Sequence, residues 1–500
     1  MEVAGGFFGL VFGLILPVHR DVASDQKVRS PRGTLEKRRN ASGFTMAGTR
    51  LHPGPRLTVL TFAFLSIVLT ATSSQAQQSC GPLPPPSGPT IEVAPSEVGQ
   101  LRNVVANAAS GTTILLQDGT YDLSSGDEES RLSFETANVT LRSLSGNRDA
   151  VVLDGNYGTS ELISISASNV TIADLTLMRA FNHPIHISGP AGNPISGILI
   201  HNLRIVDPRE QAIKVNPIVD GYVDNSTIEC CSIELTDVGR THVNPDQGGC
   251  YTGGIDVHQA QGWVVRRNRI EGFWCDTGLS EHGIHFWKCS RDTLVEENVI
   301  VDCARGIGFG LTSSGSCRTY PDDPYPGVGF KDHIDGIVRN NFVAAADSDL
   351  LSSPDGFDTG IAVTQAYGAK VVHNTVASTS PPFTSIEWRY PNSVVEIFNN
   401  LVTKNLLERD GGQATPDGNI EYAPLSWFTD IAAGDLHLTV AAATAVDAGV
   451  SLEAGLCETD IDGQARDTSP DAGGDEIGFP GIFADGFESG NTGAWSQVVP

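Results

Sequence analysis

The chain has 500 residues, of which 40% are hydrophobic and 18% charged, with 54 glycines; this balance excludes a disordered chain and allows a large buried core. The formal net charge is −27. No basic patch lies beyond the N-terminal region, so nucleic acid is set aside as a partner.

Along the chain, the first predicted element is a leader. From Met46 the sequence reads MAGTRLHPGPR, then LTVLTFAFLSIVLTA, then TSSQA before Gln77. That is a basic segment, an apolar run and a small-residue cleavage site near Ser74–Ala76, the pattern of a secretory signal peptide over 46–76. Residues 1–45 are read as a gene-start artefact or an extra leader, because the apolar run at 3–17 is short for a membrane span. No later segment is apolar enough to span a bilayer, and the mature chain is expected to be secreted: extracellular, periplasmic or at a bacterial cell surface.

A Pro-rich linker follows over 77–92. Ser96–Ala108 then predicts an amphipathic helix, with Ser96 as N-cap and Val98, Leu101 and Val105 on one face. Placed there, it would cap the open first coil of what comes next.

The body is a repeat, predicted over 93–445. An apolar–x–apolar strand, a polar pair usually ending in Asn and a second short strand recur as VTIADLTL from Val170, ILIHNLRI from Ile198, YVDNSTI from Tyr222 and VVRRNRI from Val264. The series continues through LVEENVI, IVRNNFV, VVHNTV and VEIFNNLV. The aligned Asn202, Asn225, Asn268, Asn298, Asn341, Asn374 and Asn400 fall 23 to 43 residues apart, in the range of a solenoid. Stacked coils bury a face that one coil cannot bury alone, and Asn at one bend can pass amide hydrogen bonds along the axis. The expected fold is all-β: a right-handed parallel β-helix with an N-terminal capping helix and a C-terminal closing segment.

All nine cysteines follow the leader, and most lie between 230 and 317. In an oxidising compartment they read as disulfides pinning loops to the scaffold, with at least one thiol left over. The absence of a CxxC motif argues against a zinc site built from these cysteines.

A second strand set precedes the Asn-bearing one: PIHIS at 184–188, AIKVN at 212–216, GIDVH at 254–258, GIHFW at 283–287, GIGFG at 306–310, GIAVT at 360–364 and SIEWR at 385–389. Period-2 alternation turns the Ile inward and two columns outward. One column is His186, Lys214, Asp256, His285, Gly308, Ala362 and Glu387; the other is Ser188, Asn216, His258, Trp287, Gly310, Thr364 and Arg389. Lys214, His258, His285 and Arg389 are the candidate catalytic residues. The cations can neutralise a uronate carboxylate, and a near-neutral imidazole can remove the acidified C5 proton. Trp287, Asn216, Gly308 and Gly310 are candidate substrate contacts on an open platform. Asp256 is the candidate metal ligand, with Ca²⁺ as the candidate ion, or with His258 and His285 in a metal-assisted variant. The groove is expected between the loops at 230–253 and 312–333.

After about Val440 the pattern fades into a closing segment, 446–480, and a polar tail, 481–500. GTTILLQDGTYDL, VVLDGN, NVTIADLTL and the Asn-centred coils together resemble the pectin-lyase-like superfamily. The Asp460–Gly478 stretch resembles the C-terminal closure of secreted β-helix proteins, including relatives of alginate and chondroitin lyases. The resemblance implies a Lys and an Arg on neighbouring coils, matched here by Lys214 in EQAIKVN and Arg389 in SIEWR, which are several coils apart. The aspartate set of polygalacturonases and the RxPxxR of pectate lyases are missing. The resulting expectation is a monomer acting on or binding acidic polysaccharide, as a polysaccharide lyase in preference to a glycoside hydrolase. The alternative is a non-catalytic cell-surface or adhesive β-helix.

Overall fold

A computed structural model describes residues 80–477. The leader at 46–76, the upstream stretch 1–45 and the tail 481–500 lie outside the described residues.

Strands of two to seven residues wind into a right-handed parallel β-helix. Its long sheets, of 14, 10 and 10 strands among the described residues, pair in parallel throughout. One sheet runs from Thr90–Val93 to Gln413–Asp417 and a second from Gly119–Asp122 to Leu401–Val402. The third runs from Leu132–Phe134 through Gln211–Val215, Gly253–His258, Ile284–Trp287 and Arg305–Phe309 to Leu406–Arg409. Apolar residues stack in register along the axis: Ile172, Ile200, Ile228, Val265, Val295 and Val338 follow one another in the first sheet and are fully buried. β-Branched side chains suit these positions because their stiff χ1 packs well on a pleated surface.

Between the first two sheets the chain turns through one residue at positive φ. Asp174, Asn202, Cys230, Arg267, Glu297, Asn340, His373 and Asn399 take this position coil after coil. The next residue carries the ladder. The side-chain amide of Asn268 donates to the Oδ1 of Asn298 at 3.0 Å, Asn298 to Asn341 at 3.0 Å, Asn341 to Asn374 at 2.9 Å, Asn374 to Asn400 at 3.0 Å and Asn400 to Asn419 at 2.9 Å. Two of the aligned residues are corrected by the register. Asn202 is the left-handed residue one place before the ladder, and Asn225 belongs to a different bend, in register with Gly262. Asn tolerates left-handed backbone almost as readily as it forms ladders, so its spacing alone does not separate the two uses. The coil before Asn268 has Cys231 at the ladder position, and the Cys231 backbone N–H donates to Asn268 Oδ1 at 2.9 Å.

Near the N-terminus a helix spans Val98–Ala106 and buries Leu101 and Val105 against the first coils. Ser96 is not its N-cap. Pro95–Glu97 forms a 3₁₀ turn, Glu97 takes the cap position, and its carboxylate accepts from Ala94 N–H at 3.0 Å. Pro95 explains the shift, since its fixed φ starts the turn one residue early.

The Asp460–Ile477 stretch is held by its own charged residues. Asp460 accepts from the backbone of Asp462, Gln464 and Glu476. Arg466 pairs with Glu476 at 3.0 Å and reaches Asn340 of the coil beneath at 2.9 Å. Disulfides join Cys80 to Cys230, Cys250 to Cys275 and Cys289 to Cys317, while Cys231, Cys303 and Cys457 are buried thiols.

Candidate functional site

The third sheet carries the chemistry. Parallel pairing sets His186 beside Lys214, Lys214 beside Asp256, Asp256 beside His285 and His285 beside Gly308, with His258 beside Trp287 in the neighbouring column. Adjacent strands lie about 4.8 Å apart, so side chains from three consecutive coils meet.

Lys214 Nζ donates to Asp256 Oδ2. The Trp287 indole N–H donates to Asp256 Oδ1 at 2.8 Å, and His258 Nε2 lies 3.3 Å from both Lys214 Nζ and Asp256 Oδ2. Trp287 stacks flat on His285, with ring centroids 5.3 Å apart and planes 4° from parallel, and meets the His258 ring edge-on at 4.7 Å. Lys214, Asp256, His258 and His285 are all buried; Trp287, Lys288 and Tyr251 are half-buried and form the outer side of the cluster. Lys288 Nζ lies 4.7 Å from the Trp287 ring centre and Lys214 Nζ 6.0 Å from that of Tyr251.

Burial works against ionising the Asp256 carboxyl, but the Lys214 charge, with His258 and His285, outweighs it and holds the group well below the usual carboxylate range. Burial equally opposes the Lys214 ammonium, and Asp256 and Tyr251 reverse the balance, leaving its pKa raised. His258 is pushed down to about 4, chiefly by burial and in spite of Asp256, so its imidazole is neutral at neutral pH. Lys214 can only donate and Asp256 can only accept. The His258 Nε2 between them is therefore a lone pair toward Nζ in one tautomer and an N–H toward the carboxylate in the other.

Several expectations change in three dimensions. The outward columns are partly covered: Lys214, Asp256, His258 and His285 are buried, while His186, Ser188, Asn216, Trp287 and Arg389 are half-buried. Gly308 is no open platform: the His282 ring lies over it so closely that a Cβ there would sit 2.7 Å from His282 Nε2. Gly310 is buried at φ +73°, where a Cβ would meet the Thr364 carbonyl at 1.9 Å, and its own carbonyl oxygen lies 3.2 Å from His285 Nε2. The Asn216 amide oxygen is engaged by His186 at 2.6 Å, and His186 also contacts Glu161 at 3.0 Å. Arg389 keeps its column, in register with Thr364, but lies five strands from Lys214, about 24 Å at the usual spacing. It pairs with Asp410 there, so it cannot share a sugar ring with Lys214.

Asp256 does not fit a Ca²⁺ site. Ca²⁺ needs six to eight oxygen ligands, whereas Asp256 is surrounded by an ammonium, two imidazoles and an indole N–H. Sequence reading missed Tyr251, Glu281, His282 and Lys288. The run EHGIH, with its two histidines three residues apart, was the available signal for Glu281 and His282.

The chain enters Gly253–His258 from the 235–252 insertion and leaves Arg305–Phe309 into the 311–332 loop. In the second loop Asp332 caps Leu311 and Thr312, and Arg318 forms a two-pronged pair with Asp224. A separate cleft of about 830 Å³ opens beside the first insertion, between Arg240, Trp274, Asp276 and Asp349, and contains none of the candidate residues.

No family model matches this chain, and no curated protein matches it by sequence. Among solved structures it is similar to pectate lyase Pel9A (14% identity, TM-score 0.48, covering 77% of this chain and 96% of that one). It is also similar to the tailspike protein of E. coli bacteriophage HK620, solved with a pentasaccharide (14%, TM-score 0.41, 65% and 62%), and to a rhamnogalacturonan lyase (12%, TM-score 0.40, 68% and 92%). What the chain has in common with these proteins is the parallel β-helix.

Proposed function

We propose that this is a secreted β-helix protein that acts on acidic polysaccharide, by β-elimination at the Lys214–Asp256–His258 cluster under Trp287. The observation that carries the reading is the meeting of a charged lysine, a neutral histidine and a half-buried tryptophan on adjacent coils. Trp287 offers an aromatic face to a sugar, and Lys288 beside it offers a second positive charge to a uronate. Lys214 would stabilise the negative charge that builds on the carboxylate as the C5 proton leaves. His258 would accept that proton at Nε2, the electron pair would form the C4–C5 double bond, and the C4 oxygen would depart with the cleaved chain and take up a proton from water as a hydroxyl. Three disulfides support an oxidising destination.

A binding reading without turnover is favoured by one observation. Lys214 is already neutralised by Asp256 and only 7% of its side chain is exposed, which reduces what it offers a substrate. Incubation with alginate, pectate and glycosaminoglycans, with ultraviolet detection of unsaturated ends, separates the two. Product that disappears in His258→Ala supports elimination. Saturable binding of one polymer with no product from any of them supports the binding protein.

A further inference from the structure

Beside the Lys214 cluster, the turn before Ile284–Trp287 brings Glu281 and His282 up to His285 on that strand. One ligand atom each from Glu281, His282 and His285 lies within 4.8 Å of the others. His282 and His285 are buried, and their rings are 4.4 Å apart. His285 Nε2 faces the Gly310 carbonyl oxygen at 3.2 Å, which can only accept, so the ring proton sits there and Nδ1 presents its lone pair. That lone pair points at negative oxygen: Glu281 Oε2 at 3.5 Å and Asp256 Oδ1 at 3.8 Å. Neither His285 Nδ1 nor His282 Nδ1 nor Glu281 Oε2 has a hydrogen-bond partner, although all three atoms are buried. The His282 tautomer that puts its proton on Nε2 gives three unsatisfied acceptors around one point, and these are costly unless a cation lies between them.

We propose that Glu281, His282 and His285 bind one transition-metal dication of the zinc type. Two imidazoles and a carboxylate are a donor set such ions favour. At about 2.1 Å from a tetrahedral ion, two ligand atoms stand about 3.4 Å apart, close to the 3.5 Å between His285 and Glu281. The Gly310 carbonyl supplies the outer hydrogen bond that fixes the tautomer of a ligating histidine. Gly308 leaves the room in which the His282 ring sits. A proton on His285 Nδ1 would satisfy only part of this arrangement, since His282 Nδ1 would remain unpartnered. The triad His437, Asp462 and Asp475 provides the contrast: both His437 nitrogens already face carboxylates, at 2.5 Å from Asp435 and 2.9 Å from Asp462, so a protonated imidazole satisfies that cluster.

The site is independent of any reaction on polysaccharide, and its test uses no substrate. The full-length protein, stripped with a chelator and titrated with Zn²⁺, should bind one equivalent. With Co²⁺ it should develop the visible absorption of a tetrahedral site. Glu281→Gln, which keeps shape and burial, and His282→Ala should each weaken binding by more than about 100-fold, since loss of an outer hydrogen-bond partner alone costs roughly 10–100-fold. His437→Gln should bind like wild type. Lack of a stoichiometric ion in the wild type, or wild-type affinity in Glu281→Gln, would overturn the proposal. So would an equal loss in His437→Gln.

Discussion

At the residue scale the Lys214–Asp256 pair dominates. Both side chains are more than nine-tenths buried, so removing one leaves the other charged in a poorly solvated place. Lys214→Ala should cost about 3–5 kcal/mol, read as a lowered urea midpoint, and the double variant with Asp256→Asn should recover part of the loss. A single-variant cost below about 1 kcal/mol would show that water reaches the pair. His437 sets a pH dependence of its own. Burial lowers its pKa, but Asp462, Asp475 and Asp435 overcome that and raise it from 6.5 to about 9. A raised histidine pKa means that the charged form favours the folded state. Its contribution is complete below 6.5 and fades as pH rises through about 9. Thermal melts across that window should fall more steeply in wild type than in His437→Gln, and parallel curves would contradict the assignment.

At the element scale the Asn ladder ties successive coils together. Asn341 receives the Asn298 amide, donates to Asn374 and also donates to the carbonyls of Val295 and Arg339. Asn341→Ala should strand several of these buried groups at about 1–3 kcal/mol each. Asn419→Ala, at the half-buried end of the ladder, should cost less. Equal urea midpoints for the two variants would mean that the amides do not act as a chain. The ladder from Asn268 to Asn400 was legible in the sequence because each Asn sits in one constant strand frame. Asn202 and Asn225 were misplaced because Asn also suits left-handed bends, and only the pairing of Leu199–His201 with Thr227–Glu229 and of the latter with Val264–Arg266 separates the two uses.

For the whole molecule, the cysteines divide into two sets by what surrounds them. Cys80–Cys230 ties the N-terminal segment to a coil 150 residues later, and Cys80→Ser should destabilise by about 2–5 kcal/mol, read in the same unfolding assay with and without reductant. Burial raises the thiols of Cys231 and Cys303 to about 12. An aromatic disulfide reagent should therefore find them unreactive in the native protein and titrate them only after unfolding; rapid native reaction would place them at the surface.

The sequence by itself determined the parallel β-helix, its strand faces and the outward columns of the third sheet. These follow from period-2 alternation repeated once per coil, a local pattern that needs no knowledge of what lies above the sheet. The tertiary structure alone decided what those outward residues meet. Tyr251, Glu281 and His282 arrive from turns whose path has no periodicity to read, yet they bury Lys214, Asp256 and His285 and cover Gly308. The same holds for the distance from Lys214 to Arg389: it is counted in coils, and coil length varies with every insertion. Alternation reports which way a side chain points, whereas burial, charge pairing and ligand geometry depend on segments that return from elsewhere in the chain.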